Sequence, residues 1–356
     1  MKINFLISSL SGGGAEKVLT TLAKEFANDG NDVAILSLEK RPQFYQVDKK
    51  VKIVKVDNKG KGKIRETLCD YKAIRTFLKN RNADMSISFL SRCNLLTLAA
   101  KIGTKNKVIV CDRNNPLKEH SVKAFRVSCL IYRLATAISV QTEQIKSFYP
   151  KYLQKKIFVI ENPIDMDTLR KQVDGVEIKR EKVISSMGRL EPQKDFKTLI
   201  EAFQLIAKEH QDWKVKIYGI GDMKDELQEL IDSKQLQNQV ILCGRTEKPY
   251  LALSESEIFV LSSNYEGFPN VLCEAMFAGC ACISSDCVSG PRELINNGEN
   301  GYLFDIGDSK TLSKQLETLI NDDECRNKFS ENAFNTVQRL TVENIFEKWK
   351  IEISEI

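Results

Sequence analysis

The sequence predicts an α/β protein of two Rossmann-like, doubly wound parallel-sheet domains facing a central cleft. Three observations carry this. Short apolar, strand-like runs alternate with helix-period segments along all 356 residues, the pattern of parallel sheets wound with helices. The pattern stops at Asn162-Pro163, where proline ends a strand and restricts the residue before it, and then restarts. The charge balance also reverses near this point. Residues 1–165 hold 30 Lys+Arg against 15 Asp+Glu, and residues 166–356 hold 23 against 33. Two halves of opposite sign suggest domains with different duties. The basic half fits either a solvated surface or an anionic partner: a phosphate-bearing substrate, a lipid headgroup surface or a nucleic acid.

In the first half the strand candidates are Ile3–Ser9, Asp32–Leu38, Lys52–Val56, Met85–Phe89, Lys107–Cys111, Ala137–Gln141 and Ile157–Glu161. The second half offers Lys182–Met187, Val215–Tyr218, Val240–Cys243, Ile258–Leu261, Ala281–Ser284 and Tyr302–Phe304. Amphipathic segments such as Ala15–Asn28 and Lys194–Lys208 lie between them. The domain reading is therefore 1–165, a connection over 166–181 with the polar stretch Lys171–Glu181, a second domain over 182–338, and a C-terminal helix over 339–356 packing back on the first domain. Ligands are expected at the carboxyl ends of both sheets, where strand-to-helix loops converge.

Composition removes several classes. With 42% hydrophobic and 28% charged residues, the chain is neither disordered nor collagen-like. No apolar run reaches the ~18–20 residues of a membrane span, and Met1–Ile7 reads as a first strand with no cleavage site after it. Ten cysteines without a CxxC pair read as reduced cytosolic thiols. Two histidines, His120 and His210, leave a zinc site or a histidine-centred triad little to build from.

Three loops carry candidate chemistry. Ser11-Gly12-Gly13-Gly14-Ala15-Glu16 follows the first strand and opens a helix, so its amides can approach an anion. It is neither a GxGxxG fingerprint nor a P-loop, and a plain tight turn remains the alternative. Gly188-Arg189-Leu190-Glu191-Pro192-Gln193-Lys194-Asp195 follows the first strand of the second domain. The planar fork of Arg189 and the point charge of Lys194 form a plausible diphosphate clamp, against two solvated cations. The third loop runs from Ser262 through Glu266-Gly267-Phe268-Pro269-Asn270 to Glu274. Pro269 suits the first turn of a helix, the amides around Gly267–Val271 become donors for an anion, and the two carboxylates can accept from ligand hydroxyls.

Together these segments resemble glycosyltransferase family 4, the retaining, nucleotide-sugar-dependent enzymes of GT-B fold. The carrying motifs are Gly13-Gly14-Ala15-Glu16, Gly188-Arg189-Leu190 with Lys194, Tyr218-Gly219-Ile220-Gly221, Leu242-Cys243-Gly244-Arg245, and Glu266 with seven residues before Glu274. They run in the family's order along essentially the whole chain. The resemblance implies a donor-binding second domain. Arg189 and Lys194 would neutralise the diphosphate, Glu274 would accept from the ribose, and the backbone at Gly244 and Arg245 would frame the base. Glu266, the catalytic-site residue, and the amides of Gly267, Phe268 and Asn270 beside Pro269 would hold the sugar. Gly13 and Gly14 would face the diphosphate from across the cleft. No cofactor is implied, since the nucleotide sugar is a substrate, with UDP the common base of the family. No metal is expected either, because the cations serve in its place and Asp165-Met166-Asp167, a DxD, lies at the domain junction. Many relatives carry a histidine after the strand Lys107–Cys111, where this chain has Asp112-Arg113-Asn114-Asn115-Pro116. Arg113 could contact the sugar or an acceptor phosphate, or brace the loop.

The segment Leu117–Leu134 reads as one helix placing Lys123, Arg126 and Arg133 on one side with Lys118 at its edge, interleaved with Val122, Cys129 and Leu130. It fits an acceptor-side helix on an anionic membrane surface, or a packed helix whose cations snorkel to solvent. The resulting expectation is a peripheral, cytoplasmic enzyme moving a hexose or N-acetylhexosamine onto a polyprenyl-diphosphate-linked glycan. An epimerase on the same fold and a degenerate, membrane-docked binding protein are the alternatives. Nothing supports nucleic-acid binding beyond charge.

Overall fold

A computed structural model describes residues 1–39, 44–56, 62–119 and 121–356. Two compact units divide the chain: Met1–Pro163 together with Val342–Ile356, and Ile164–Thr341. His120, and with it one of the two histidines, lies outside the described residues.

The first unit contains β1 (Lys2–Ile7), β2 (Asp32–Ser37), β3 (Lys52–Lys55), β4 (Met85–Phe89), β5 (Lys107–Cys111), β6 (Ala137–Val140) and β7 (Ile157–Val159). They form one parallel sheet in the order β3-β2-β1-β4-β5-β6-β7. Strand order reverses between β1 and β4, the switch point of a doubly wound sheet. Buried runs such as Phe5-Leu6-Ile7 and Val108-Ile109-Val110 are what a sheet covered on both faces requires. The C-terminal helix Val342–Ser354 packs into this unit: the Phe346 ring stands edge-on to Phe26 at 4.8 Å, and Trp349 edge-on to Phe158 at 5.5 Å.

The second unit contains β8 (Glu181–Met187), β9 (Lys214–Tyr218), β10 (Val240–Gly244), β11 (Ser256–Leu261), β12 (Ala281–Ser285) and β13 (Tyr302–Phe304). Its sheet is also parallel, in the order β10-β9-β8-β11-β12-β13, with the switch between β8 and β11. Ile184, Val215, Ile217, Ile258 and Ile283 pack with Leu199, Phe203, Leu312 and Leu316 in its core. The stretch 166–181 is part of this unit. Its helix Met166–Lys171 puts Arg170 over the Phe277 ring at 5.3 Å, and Arg180 donates to Ser256 O and Ala278 O.

Every strand candidate is a strand, with ends differing by one or two residues. Two helices differ more. Leu117–Leu134 is two helices, Pro116–Glu119 and Val122–Tyr132, because Ser121 caps the second, its Oγ accepting from Ala124 N at 3.3 Å. Lys194–Lys208 shortens to Phe196–Gln204, since Asp195 takes a left-handed φ of 44° at the N-cap. Among the described residues no helix is long and apolar enough to cross a membrane, and all ten cysteines are free thiols.

Candidate functional site

In the second unit the loop after β8 continues beside the loop after β9. Gly188 N donates to Tyr218 O and Leu190 N to Ile220 O, each at 3.0 Å. Only glycine permits this approach: a Cβ on Gly219 would lie 1.8 Å from Gly188 O, and one on Gly221 2.4 Å from Leu190 O. Gly219 N in turn donates to Gly244 O at 2.8 Å, and Gly244, with φ of 70°, bends the end of β10 where its register with β9 shifts. The Tyr218–Gly221 and Gly244-Arg245 motifs thus stack behind the first loop, with Arg245 exposed.

The loop after β8 is also stitched to the loop after β11. Ser262 Oγ donates to Lys194 O (2.8 Å), Gln193 Nε2 to Tyr265 O (2.9 Å), Asn264 N to Gln193 O (2.7 Å) and Asn264 Nδ2 to Pro192 O (2.8 Å). These bonds sit at the β8/β11 switch point, and they aim Lys194 inward. Its Nζ lies 2.6 Å from Glu266 Oε1, which also accepts from Ser263 Oγ at 2.7 Å. The pair is largely desolvated, with side-chain exposures of 16% and 8%. The neighbouring Cys287 thiol is pushed up to about 12, by burial first and by the Glu266 carboxylate second.

Arg189 behaves differently. Its side chain is 71% exposed and pairs with Glu191 at 2.8 Å, so the two cations of the expected clamp face different partners. Pro269 is the N-cap of the helix Asn270–Phe277 and precedes its first turn. Asn270 N donates to Phe268 O at 3.0 Å, which commits one of the expected donors. Among the described residues the amides of Gly267, Phe268 and Val271 have no partner. Glu274 is half-buried one helical turn further on.

Sequence reasoning did not give a role to the groups that brace this loop. Ser289 Oγ donates to Gly267 O at 2.8 Å, and Gly290, with φ of 101°, packs so closely that a Cβ would lie 2.5 Å from Pro269 Cδ. Ser285 Oγ donates to Ser263 O at 2.5 Å. The Ser289-Gly290-Pro291 run was the available signal. Asp165 of the DxD is a helix cap, accepting from Thr168 N (2.9 Å) and Thr168 Oγ1 (2.7 Å).

In the first unit, the glycine loop after β1 is closed by its own glutamate. Glu16 accepts from Gly12 N at 2.6 Å and from Ser9 Oγ at 2.8 Å. Gly13 is the extended N-cap and Gly14 the first residue of the helix Gly14–Asn28. After β5, Asp112 is buried and accepts from Asn94 Nδ2 (2.9 Å), Tyr132 OH (2.8 Å) and Tyr149 OH. Burial first, and then the Asp112 charge, hold the Tyr149 hydroxyl well above its usual value. Arg113 points into the protein: it donates to Ile160 O (3.4 Å), Asn162 Oδ1 (3.3 Å) and Ser139 Oγ (3.2 Å), with Phe89 and Trp349 rings against its guanidinium. It therefore braces the ends of β6 and β7.

Lys118, Lys123, Arg126 and Arg133 are all exposed, as are Leu117, Val122, Val127, Leu130 and Leu134. Cys129, read as interleaved with the cations, faces the core. Arg133 lies over the Tyr152 ring at 5.5 Å.

Comparison with known proteins follows this division. Residues 12–168 match the model for Glycosyltransferase Family 4 and residues 167–336 that for Glycosyl transferases group 1. A Campylobacter jejuni GalNAc-alpha-(1->4)-GalNAc-alpha-(1->3)-diNAcBac-PP-undecaprenol alpha-1,4-N-acetyl-D-galactosaminyltransferase is 29% identical over 100% of this chain and 99% of its own length. The amylovoran biosynthesis glycosyltransferase AmsD of Erwinia amylovora is 28% identical over 98% of each. Among solved structures, Anabaena HepE in complex with UDP and glucose superposes with a TM-score of 0.83 at 20% identity, covering 100% of both chains.

Proposed function

The chain belongs to the glycosyltransferases, its two halves matching the family 4 and group 1 models, and from that premise we propose that it moves a hexose or N-acetylhexosamine with retention from a UDP-sugar to a polyprenyl-diphosphate-linked glycan. The observation that carries the donor half is the pair of cross-stitched loops at the β8/β11 switch point, which hold Lys194 against Glu266 at 2.6 Å. A nucleoside diphosphate leaving group needs its developing charge stabilised, and cations held in place before the reaction do this without reorganisation. Lys194 supplies one such cation. Arg189, released from a weak surface pair, supplies the other.

In this reading Glu266 and the Gly267 and Phe268 amides hold the sugar, Asn270 and Pro269 shape the loop, and Glu274 accepts from the ribose. The backbone at Gly244 and Arg245 frames the base. In the first unit, Gly13 and Gly14 open a helix N-terminus suited to an anion. The reaction needs no metal because Arg189 and Lys194 carry the charge, and Asp165 is committed to its helix. UDP as the base is supported by the HepE complex, and a lipid-diphosphate acceptor by the name of the C. jejuni relative. Retention accords with the α linkage in that name, because the common UDP-hexoses are themselves α-linked.

The acceptor side is the exposed surface of the helix Val122–Tyr132 and its flanks. Lys118, Lys123, Arg126 and Arg133 alternate there with exposed Val122, Val127 and Leu130. This arrangement suits a peripheral attachment at an anionic leaflet, each cation contributing about 1 kcal/mol. Arg113 contributes by holding the loop after β5, not by touching substrate.

The test incubates the protein with labelled UDP-GalNAc, UDP-GlcNAc and UDP-glucose and an undecaprenyl-diphosphate-linked glycan in EDTA, and reads product and anomeric configuration by NMR. Transfer of one sugar with an α linkage, lost in Glu266→Gln, is the expected result. Activity undiminished by Glu266→Gln, or a β-linked product, would overturn the reading.

A further inference from the structure

The edge of the second sheet opposite the donor loops carries an unassigned cluster. Glu209 and His210 lie in the turn between the helix Phe196–Gln204 and β9, and Glu317 lies on the helix Ser309–Asn321. One ligand atom from each residue falls within 4.8 Å of the other two. His210 Nε2 is sealed from solvent and has no hydrogen-bond partner, although a buried polar atom without a partner is costly.

The turn that presents His210 is rigidly held. A single amide, Gln239 Nε2, donates to Ala207 O (3.2 Å), His210 O (3.0 Å) and Trp213 O (3.4 Å), and Trp213 N donates back to His210 O at 3.1 Å. Glu317 is placed equally well. Its neighbour Leu316 is fully buried in the core, and the helix carrying both is capped by Asp308, which accepts from Thr311 N at 3.0 Å.

We propose that Glu209, His210 and Glu317 form a divalent transition-metal site, taking Zn²⁺ or a close relative, that clips the turn before β9 to the helix Ser309–Asn321. One imidazole nitrogen and two carboxylate oxygens are a suitable donor set for Zn²⁺, with water in the fourth position. Bonds near 2.0–2.1 Å place tetrahedral ligand atoms about 3.4 Å apart, so the three groups close from their present spacing of up to 4.8 Å when the ion binds. The role is structural. Glu209 and His210 precede β9 at the amino edge of the sheet, and Glu317, in the second half of its helix, meets them there, whereas the loops after β8 and β11 leave the carboxyl edge, so the metal takes no part in sugar transfer.

Tag-free protein titrated with ZnCl₂ by calorimetry, with thermal unfolding followed in parallel, tests this. The wild type is expected to bind one Zn²⁺ per chain and to melt at a higher temperature with Zn²⁺ present, because only the folded chain assembles the site. His210→Ala and Glu317→Gln are expected to weaken binding at least about tenfold and to lose the metal-dependent shift, while UDP affinity stays unchanged. Glu317→Gln alters a half-buried helix position and leaves the core intact. Absence of saturable Zn²⁺ binding to the wild type, or binding to both variants as tight as to the wild type, would overturn the proposal.

Discussion

Replacing Lys194 with methionine removes the cation from a pair that is 84–92% withdrawn from solvent by side chain. Glu266 is left as a buried carboxylate whose Oε1 still accepts from Ser263 Oγ at 2.7 Å. Breaking a buried pair by removing one partner costs about 3–5 kcal/mol. The surviving Ser263 bond and the partial exposure of Lys194 place this case at the lower end, about 3 kcal/mol. The double variant Lys194→Met/Glu266→Gln removes both charges and leaves an amide that still accepts from Ser263, so most of the loss should return. The interaction energy from the cycle should therefore reach about 2 kcal/mol. The chain has two tryptophans, Trp213 in the second unit and Trp349 in the first. Urea unfolding followed by fluorescence in a Trp349→Phe background therefore reports on the second unit alone. If the double variant is destabilised by the sum of the two single variants, the pair is not coupled and the reasoning fails.

Other outcomes follow from the same packing. Trp349→Ala should cost the first unit about 3–5 kcal/mol, read as an earlier unfolding transition, because this ring is fully buried against Phe158 on the C-terminal helix. Gly219→Ala should destabilise the second unit by more than the roughly 0.4–1 kcal/mol that the same change gains at a compatible site, since its Cβ would meet Gly188 O at 1.8 Å; an unchanged urea midpoint would refute the close approach. Asp308→Ala should cost about 1 kcal/mol through loss of a helix cap. The Thr311 hydroxyl, and then backbone amides, hold the Asp308 carboxyl below 3.8. Its contribution is therefore complete above pH 3.8 and is lost as pH falls through the lower folded value, a slope that Asp308→Asn should flatten.

The strands were legible because buried parallel strands are continuous apolar runs, and all thirteen emerge within a residue or two of their pattern. Helix ends were harder. Ser121 reads as one polar residue in an amphipathic stretch until its Oγ is seen capping Val122–Tyr132. Asp195 gives no sequence signal for its left-handed conformation, which follows Lys194, whose carbonyl accepts from Ser262 Oγ in the loop after β11. The loop motifs were visible, but not the partners of their side chains. Lys194 and Arg189 read alike as cations, and only the fold sends one to Glu266 and the other to an exposed pair with Glu191. Ser289 acts on Gly267 from 22 residues away, and Glu317 approaches His210 across more than a hundred. Such pairings depend on strand order, which local periodicity does not encode.

The central claim is that the loops after β8 and β11 hold a nucleoside diphosphate through fixed cations and a ribose-binding carboxylate. Titration of UDP into wild type, Arg189→Ala and Glu274→Ala by calorimetry in EDTA tests it most directly. Arg189 lies in a surface pair worth no more than about 1 kcal/mol to folding, so its removal should leave the protein intact. The account predicts saturable UDP binding in EDTA, weakened at least about tenfold, or 1.4 kcal/mol, in each variant. No binding to wild type, or equal affinity in all three proteins, would contradict it.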